Sequence, residues 1–146
     1  MKEELEKLIS MWDIDSEIDS TEPGRALIDI PKLHSKYLKI LSNHRLLSKE
    51  AEYRLINTKK LRWEYYTGKL DDETLKKYEW HPFEFILKSE IGMYLDSDIY
   101  INDRKKTKII HDEIVTVCES ILKELNNRSF QIKTFVDWEK FINGGN

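Results

Sequence analysis

A heptad-like stripe across residues 27–67 constrains the fold more than any other feature of this sequence. The stretch contains no glycine, and its one proline, Pro31, lies near enough to the start to serve as a first-turn proline. The positions that recur in alternating steps of four and three are Leu33, Tyr37, Ile40, His44, Leu47, Ala51, Arg54, Thr58, Leu61 and Tyr65. This period predicts helix up to Gly68, either as one long helix or as two with a break in "LSNHR" around Ser42 and Asn43.

A second stripe predicts another long amphipathic helix later in the chain. Its apolar positions are Ile110, Ile114, Val117, Ile121 and Leu125, with Cys118 and Leu122 beside them. We expect this helix to end near Asn126, and an extended piece to follow at 130–133. A last short helix is predicted to have Thr134 as its cap and to end at Gly144 and Gly145.

Short helices are also predicted over residues 2–12 and about 72–78, so the expected fold is all-α: two long amphipathic helices plus short terminal helices. Apolar stripes this long on a chain of 146 residues predict self-association. The length fits one domain over 1–146, with or without a separate N-terminal helical arm at 1–24. The sequence has no membrane-spanning apolar run and an acidic start unlike a signal peptide, so we expect a soluble cytoplasmic protein.

The net charge of −3 conceals a segregation of charge along the chain. Residues 1–24 hold eight acidic and two basic residues, residues 36–69 nine basic and three acidic, and residues 70–100 eight acidic and three basic. A local basic segment can bind a polyanion even when the whole chain is acidic. The alternative is a basic helix face that is only solvated, and solvation alone also accounts for the acidic segments.

Motifs of catalysis and of cofactor binding are absent from the sequence. None of the five glycines forms a phosphate-binding loop, and no GxSxG motif occurs. The histidines are scattered, and the adjacent residues of "HDE" at 111–113 would point in different directions on a helix. Cys118 is the only cysteine, and its apolar neighbours indicate burial. We therefore expect no cofactor and no metal, whereas an enzyme such as a small nuclease has no support from the residues and stays an open alternative.

The stretch "KKLRWEYYTGKL", residues 59–70, combines cations with flat aromatic rings. Its candidate DNA-binding residues are Lys59, Lys60, Arg62, Trp63, Tyr65, Tyr66 and Lys69. Single-stranded DNA attracts cations through its phosphates, and its unpaired bases stack on aromatic rings for about 1–3 kcal/mol each. The residues alone leave a second interpretation open, in which Trp63 and one tyrosine are core residues and the lysines solvate the opposite helix face.

The same stretch resembles a motif of the UvsY-type recombination mediators of T4-like bacteriophages, Lys-x-Arg-x-acidic-Tyr-Tyr-small-Gly-basic. The matching residues are Lys60, Arg62, Glu64, Tyr65, Tyr66, Thr67, Gly68 and Lys69. The segments "IDST", "NRSFQIK" and "DWEKFINGG" and the position of Cys118 are also similar to the family, and the similarity is weakest over 71–102. Leu61 and Trp63 depart from the motif, which usually has smaller or aliphatic residues there.

The resemblance implies a non-enzymatic protein that forms a ring-like homo-oligomer, a hexamer or heptamer, and binds single-stranded DNA. It also implies that the protein helps the phage recombinase displace the phage single-strand-binding protein, and that ATP hydrolysis belongs to the recombinase. By the same resemblance, Lys60 and Arg62 are the DNA-contacting positions, and the helices over 114–141 form the oligomer contacts. The alternative is an α-helical oligomeric scaffold whose basic stripe binds acidic protein surfaces.

Overall fold

The computed structural model describes residues 2–84 and 86–144, which form helices joined by loops. The helices are α1 (Lys2–Asp15), α2 (Pro23–Tyr66), α3 (Asp72–Tyr78), α4 (Ile91–Asp96) and α5 (Ile99–Ile142), with a 3-10 turn over Lys88–Glu90. No strand occurs in the described ranges, so the all-α prediction with two long helices is confirmed. Over the same ranges, none of the helices combines the length and the apolar character needed to cross a membrane.

α2 is one continuous helix of 44 residues, and Ser42 and Asn43 lie within it without a break. The prediction for Pro31 was wrong, because the helix begins at Pro23 and Pro31 lies inside it. Pro23 takes the first-turn position, where its fixed φ suits a helix start. Pro31 omits one helical hydrogen bond, to the carbonyl of Leu27, and both residues are exposed.

α5 is also continuous, so the predicted helix end at Asn126, the extended piece at 130–133 and the cap at Thr134 were wrong. Thr134 lies inside the helix, where its hydroxyl donates to the backbone carbonyl four residues earlier at 2.9 Å. The buried face continues through Arg128 and Ile132, which are 5% and 3% exposed. Burial of this face outweighs the weak helix propensity of the asparagines.

The C-terminal end of α5 exposes several large apolar side chains. They are Phe130 (72% exposed), Trp138 (58%), Phe141 (83%) and Ile142 (53%). Gly144 follows the helix with a left-handed φ of 63°. Gly145, which was predicted to share this helix end, lies outside the described residues.

The chain divides into two compact units. Unit 1 contains the residues up to Leu46 and from Ile110 onwards, and unit 2 contains Leu47–Ile109. Unit 1 has a mostly aliphatic core, made of Leu8, Tyr37, Leu41, Ile114, Cys118, Ile121 and Leu125. Both predicted stripes supply this core, and α1 adds Leu8 to it, so α1 packs within unit 1.

Side chains from α2 and α5 hold the C-terminal end of α1 in unit 1. Asp15 accepts hydrogen bonds from Lys36 at 2.6 Å and from the Tyr37 hydroxyl at 2.7 Å. Burial acts to raise the pKa of Asp15, but these hydrogen bonds hold it below its usual value. Arg128 donates to the backbone carbonyls of Asp15, at 3.2 and 3.3 Å, and of Ser16, at 3.1 Å. Helix ends leave such carbonyls without partners and favour a cation beside them, so Arg128 stabilises this end of α1.

A buried histidine pair joins α2 and α5 within unit 1. His44 and His111 are 8% and 6% exposed, and their Nδ1 atoms lie 2.9 Å apart. One nitrogen must donate and the other accept, so the contact requires at least one ring without a proton on Nδ1. Burial, followed by the charge of His111, lowers the pKa of His44 below its ordinary value, while Glu4 opposes this shift.

Candidate nucleic-acid interface

The last turns of α2 separate the candidate DNA-binding residues onto two faces. A helix turns by about 100° per residue, so residues three and four apart share a face. By their exposure, Lys59, Lys60 and Trp63 form an outer face, and Arg62, Tyr65 and Tyr66 form an inner face. The two lysines are exposed and Trp63 is 39% exposed, whereas Arg62 is 7% exposed and the two tyrosines are half-buried.

Gly68 ends α2 as predicted and brings Lys69 back to the outer face. Its φ of 71° is left-handed, a conformation that glycine adopts without a Cβ clash. The N–H of Lys69 donates to the carbonyl of Glu64 at 2.8 Å, and the N–H of Gly68 donates to the carbonyl of Tyr65 at 3.2 Å. These two hydrogen bonds form the Schellman pattern. The reversed chain places the Lys69 ammonium 4.1 Å from the centroid of the Trp63 ring. The tryptophan that departs from the family motif therefore lies at the surface beside a cation.

Asp98 begins α5 and also holds the inner face of α2. Its Oδ1 accepts the backbone N–H groups of Tyr100 and Ile101, both at 3.0 Å, as an N-cap. Its Oδ2 accepts Nε–H of Arg62 at 2.7 Å and the hydroxyl of Tyr66. Burial acts to raise the pKa of Asp98, but the hydrogen bonds from Tyr66, Ile101 and Arg62 hold it below its usual value. The carboxylate is therefore ionised, and it pairs with Arg62 away from water.

Aromatic rings surround the guanidinium of Arg62. Its Cζ lies 4.5 Å from the ring centroid of Tyr65, 5.1 Å from Tyr66, 4.5 Å from Trp80 and 4.6 Å from Tyr100. Cation–π contacts reach about 2 kcal/mol when they are desolvated. These rings come from α2, from the turn after α3 and from the start of α5, so Arg62 connects three segments of unit 2.

The end of α3 determines the position of Trp80. Glu79 has a left-handed φ of 58°, which costs a residue with a Cβ about 1–2 kcal/mol. The N–H of Trp80 donates to the carbonyl of Leu75 at 2.9 Å, and that of Glu79 donates to Lys76 at 3.2 Å. The chain therefore folds back over α3, and the Trp80 ring stacks on Tyr78 with centroids 4.6 Å apart and planes 19° apart.

The structure thus exposes four of the seven candidate residues at the surface and turns three inward, of which Arg62 is buried and the two tyrosines are half-buried. The exposed four are Lys59, Lys60, Trp63 and Lys69. Lys60 makes a loose ion pair with Glu64 at 4.0 Å, and its side chain remains 77% exposed, so the pair contributes little. The alternative interpretation was right that tyrosines pack inward, but it was wrong to place Trp63 in the core. DNA contact by the seven residues stays a prediction.

Two parts of this region were missed in the sequence. Asp98 stands directly before an apolar-periodic helix in "SDIY", which is an N-cap signal. A basic run of Arg-Lys-Lys over 104–106 follows the acidic segment, and Arg104 lines the same cavity as Asn57 and Thr58 of α2. The signal for this run was the change of charge sign at the start of α5.

The described part of the chain contains no group of three or more His, Cys, Asp or Glu side chains that is arranged to hold a metal ion. Cys118 is fully enclosed, which confirms its predicted burial. Burial, with a smaller effect of Glu119, raises the pKa of this thiol to about 11. The thiol is therefore protonated at neutral pH and is a poor nucleophile or metal ligand.

Fold and surface together define an all-α protein whose exposed lysines and tryptophan form the kind of surface that single-stranded nucleic acid binds. The family model described as "Recombination, repair and ssDNA binding protein UvsY" matches residues 11–145. The chain therefore belongs to the UvsY family, as the motif over residues 60–69 predicted.

A crystal structure of the bacteriophage T4 recombination mediator protein UvsY has a similar fold, with a TM-score of 0.81. The two sequences are 24% identical, and the alignment covers 95% of this chain and 97% of that chain. At this identity the likeness concerns the fold. No curated protein sequence matches the chain.

Proposed function

We propose that this chain is a recombination mediator, not an enzyme, that binds single-stranded DNA in the host-cell cytoplasm. It helps a phage recombinase load onto strands covered by single-strand-binding protein. Membership of the UvsY family and the fold shared with the T4 mediator support this function. The observation that carries the DNA contact is the exposed group of Lys59, Lys60, Trp63 and Lys69.

These four residues, which we call the outer surface, offer a single strand two kinds of contact. The lysine ammonium groups pair with phosphates and release counterions. The exposed Trp63 ring can stack on a base. Lys69, which lies beside this ring, can then pair with the phosphate next to that base. Neither contact reads base identity, so the outer surface binds single strands of any sequence.

Arg62 supports DNA binding indirectly, by holding the end of α2 in position. Its guanidinium already has Asp98 and four rings as partners, and its side chain is 8% exposed. A phosphate contact would require this pair to open and would leave a buried carboxylate without its cation. Arg62 is therefore a positioning residue, because its pairing fixes the rotation of the helix turns that present Lys59 and Lys60.

Assembly of several copies supplies the affinity that one copy lacks. The apolar side chains exposed at the end of α5, which are Phe130, Trp138, Phe141 and Ile142, form the surface that we assign to self-association. A ring-like homo-oligomer, a hexamer or heptamer, repeats the outer surface, so that weak contacts add through a high effective concentration. A strand held along several copies is withdrawn from the single-strand-binding protein and presented to the recombinase, which hydrolyses the ATP.

The double substitution Lys59→Ala with Lys60→Ala tests the DNA contact. We expect weaker binding of a labelled single-stranded oligonucleotide, measured by fluorescence anisotropy across a salt series. The slope of log affinity against log salt should fall by about 0.7 for each lost phosphate contact. The unfolding midpoint should stay close to that of the unsubstituted protein, because both side chains are exposed. Unchanged affinity at every salt concentration would refute the assignment.

Lys32→Ala with Lys39→Ala is the matched control, because it removes the same charge from exposed positions of α2 in unit 1, outside the predicted oligomer contacts over 114–141. This variant should bind DNA as the unsubstituted protein does. Equal losses in the two double variants would assign the binding to net charge instead of to the outer surface. If the unsubstituted protein bound no oligonucleotide at low salt, the scaffold that binds acidic protein surfaces would become the better description.

A further inference from the structure

A cavity of about 830 Å³ opens in unit 2 between the end of α2, the turn after α3 and the start of α5. This volume lies within the range of about 300–1,000 Å³ that is typical of small-molecule sites. The residues on its wall that matter here are Asn57, Thr58, Tyr78, Trp80, Tyr100 and Arg104, with the enclosed Arg62 beside them. The cavity therefore adjoins the outer surface, since Lys60 lies three residues after Asn57 and Lys59 lies three residues before Arg62 on α2.

The aromatic rings of this cavity are held in place and yet reach solvent. The Trp80 indole N–H donates to the Tyr100 hydroxyl at 3.3 Å, and the two ring centroids lie 5.4 Å apart. The Tyr78 ring also stacks on Trp80, with the two ring centroids 4.6 Å apart. Tyr78 and Tyr100 remain 40% and 43% exposed. The Arg62 guanidinium already covers part of the Trp80 and Tyr100 rings, and the exposed parts of Tyr78 and Tyr100 can stack on flat heteroaromatic groups.

Cations flank the cavity on two helices. Lys60 lies three residues after Asn57, and Arg104 lies four residues after Tyr100, so each cation neighbours a wall residue on its helix surface. Asp103 also lines the cavity, and a carboxylate can accept a hydrogen bond from a base N–H group, such as N3–H of thymine. A ligand with a planar ring between two negative charges complements this arrangement.

We propose that the cavity binds one unpaired base of a single DNA strand, while Lys60 and Arg104 hold the phosphates on its two sides. This inference rests on the proposed function and adds to it a base site outside the motif of residues 60–69. The rings of Tyr78 and Tyr100 stack on the base. Trp80 supports both rings, because it contacts each of them.

The test compares two fluorescently labelled oligonucleotides of equal length and charge, one of thymidines and one of abasic residues. The phosphate contacts are the same for both, so the ratio of their dissociation constants isolates the contribution of the bases. For the unsubstituted protein we expect the thymidine strand to bind about tenfold more tightly, as one stacked base allows. Tryptophan emission should be quenched by the thymidine strand and much less by the abasic strand, and Trp80→Phe should reduce this difference, with the remainder coming from Trp63.

Tyr78→Leu and Tyr100→Leu keep apolar volume and remove a ring, so each should reduce the thymidine-to-abasic ratio several-fold. Tyr78→Phe and Tyr100→Phe keep the ring and should preserve the ratio. Arg104→Ala should weaken both strands by the same factor, because it removes a phosphate contact only. Circular dichroism melting of each variant identifies loss of fold, and the phenylalanine variants keep the proposal testable if a leucine variant unfolds.

Equal affinity of the unsubstituted protein for the two strands would overturn the base site and the stacking on Trp63, and it would leave the lysine contacts of the proposed function standing. Leucine variants that are folded and keep the full ratio would overturn it as well. If the leucine variants changed the native mass of the assembly, the rings would be contacts with a second copy and not a base site. Absence of binding to either strand would remove both the base site and the proposed function.

Discussion

Units 1 and 2 each bury an arginine, but the two arginines have different partners. Arg128 in unit 1 donates to backbone carbonyls at the end of α1, beside a core that is mostly aliphatic. Arg62 in unit 2 donates to the carboxylate of Asp98 and lies among four aromatic rings. The unit that carries the outer surface is thus centred on an ion pair, whereas the other is centred on apolar side chains.

The difference between the two cores shows how a helix can be held so that its binding residues face outward. Apolar burial is non-directional, and cores often accept changes that keep volume. A buried ion pair depends on geometry, and removal of one partner leaves an uncompensated charge. Because Arg62 is on the inner face of α2, its pairing with Asp98 determines which residues of the helix face outward. The polar centre of unit 2 therefore orients Lys59 and Lys60.

Asp98→Ala should have the largest effect on stability. It leaves Arg62 buried without its anion and removes the N-cap of α5, so we expect a loss of about 4 kcal/mol in the free energy of unfolding. Urea denaturation at fixed protein concentration measures the loss. Hydrogen exchange should show lost protection mainly over residues 47–109, in unit 2.

The control for this change is Asp96→Ala, which removes an exposed carboxylate at the end of α4 and should alter stability by less than about 0.5 kcal/mol. The double variant Arg62→Met with Asp98→Ala should be more stable than Asp98→Ala alone, since the stranded charge is gone. If the double variant were less stable than the single one, the ion pair would not be the centre of unit 2.

Leu125→Ala tests the apolar core of unit 1 and should have the next largest effect on stability. Leu125 is 1% exposed in the core of unit 1, and truncation of a buried leucine costs about 3 kcal/mol. Protection against hydrogen exchange should fall first in residues outside 47–109. Leu46→Ala is the matched control, because Leu46 is 66% exposed, and its stability should stay close to that of the unsubstituted protein. If Leu125→Ala lowered the hydrogen-exchange protection mainly in unit 2, the distinction between an apolar core in unit 1 and an ion-paired core in unit 2 would be contradicted.

Acidification should produce the smallest of the three effects, and it should act through unit 1. The folded-state pKa of His44 is lowered, so folding favours its neutral form, and the stability that this provides is present above the unfolded pKa of about 6.5. It is lost as the pH falls below that value toward the folded-state pKa. We expect a decrease on the order of 1 kcal/mol between about pH 7.5 and 5.5, measured by urea denaturation.

His44→Gln should flatten this pH dependence, because an amide can hydrogen-bond to His111 without titrating. His81→Gln is the control, since His81 is exposed and its backbone carbonyl, not its ring, accepts the hydrogen bond from Tyr65. The same slope in the unsubstituted protein and in His44→Gln would show that the histidine pair does not govern stability in this range.

Local sequence patterns predicted the helices and their inward faces well. Of the stripe over α2, Tyr37, His44 and Ala51 are buried and only Arg54 is exposed. Gly68 ends α2 because a left-handed residue there closes a known hydrogen-bond pattern. These features depend on neighbours within one or two turns, and such neighbours can be read from the sequence.

The errors arose where distant residues decide the outcome. Asn126 is a weak helix former, but α5 continues past it because Arg128 and Ile132 are buried further along. DNA contact by Arg62 stays a prediction, but the burial of Arg62 depends on Asp98, which lies 36 residues away. Sequence spacing does not show a pairing over such a distance, so the division of the motif into an outer and an inner face required the structure.

The division into units has a consequence for the order in which the chain can complete its fold during synthesis. Unit 2 is contiguous, so all of its residues are synthesised before the second part of unit 1 begins. The Arg62–Asp98 pair can therefore close while α5 is still being translated. Unit 1 must wait for Leu125 and Arg128, which arrive last, to cover the apolar faces of α1 and α2. The growing chain can thus complete unit 2 first, whereas the apolar faces of α1 and α2 stay uncovered until the later residues of α5 pack against them.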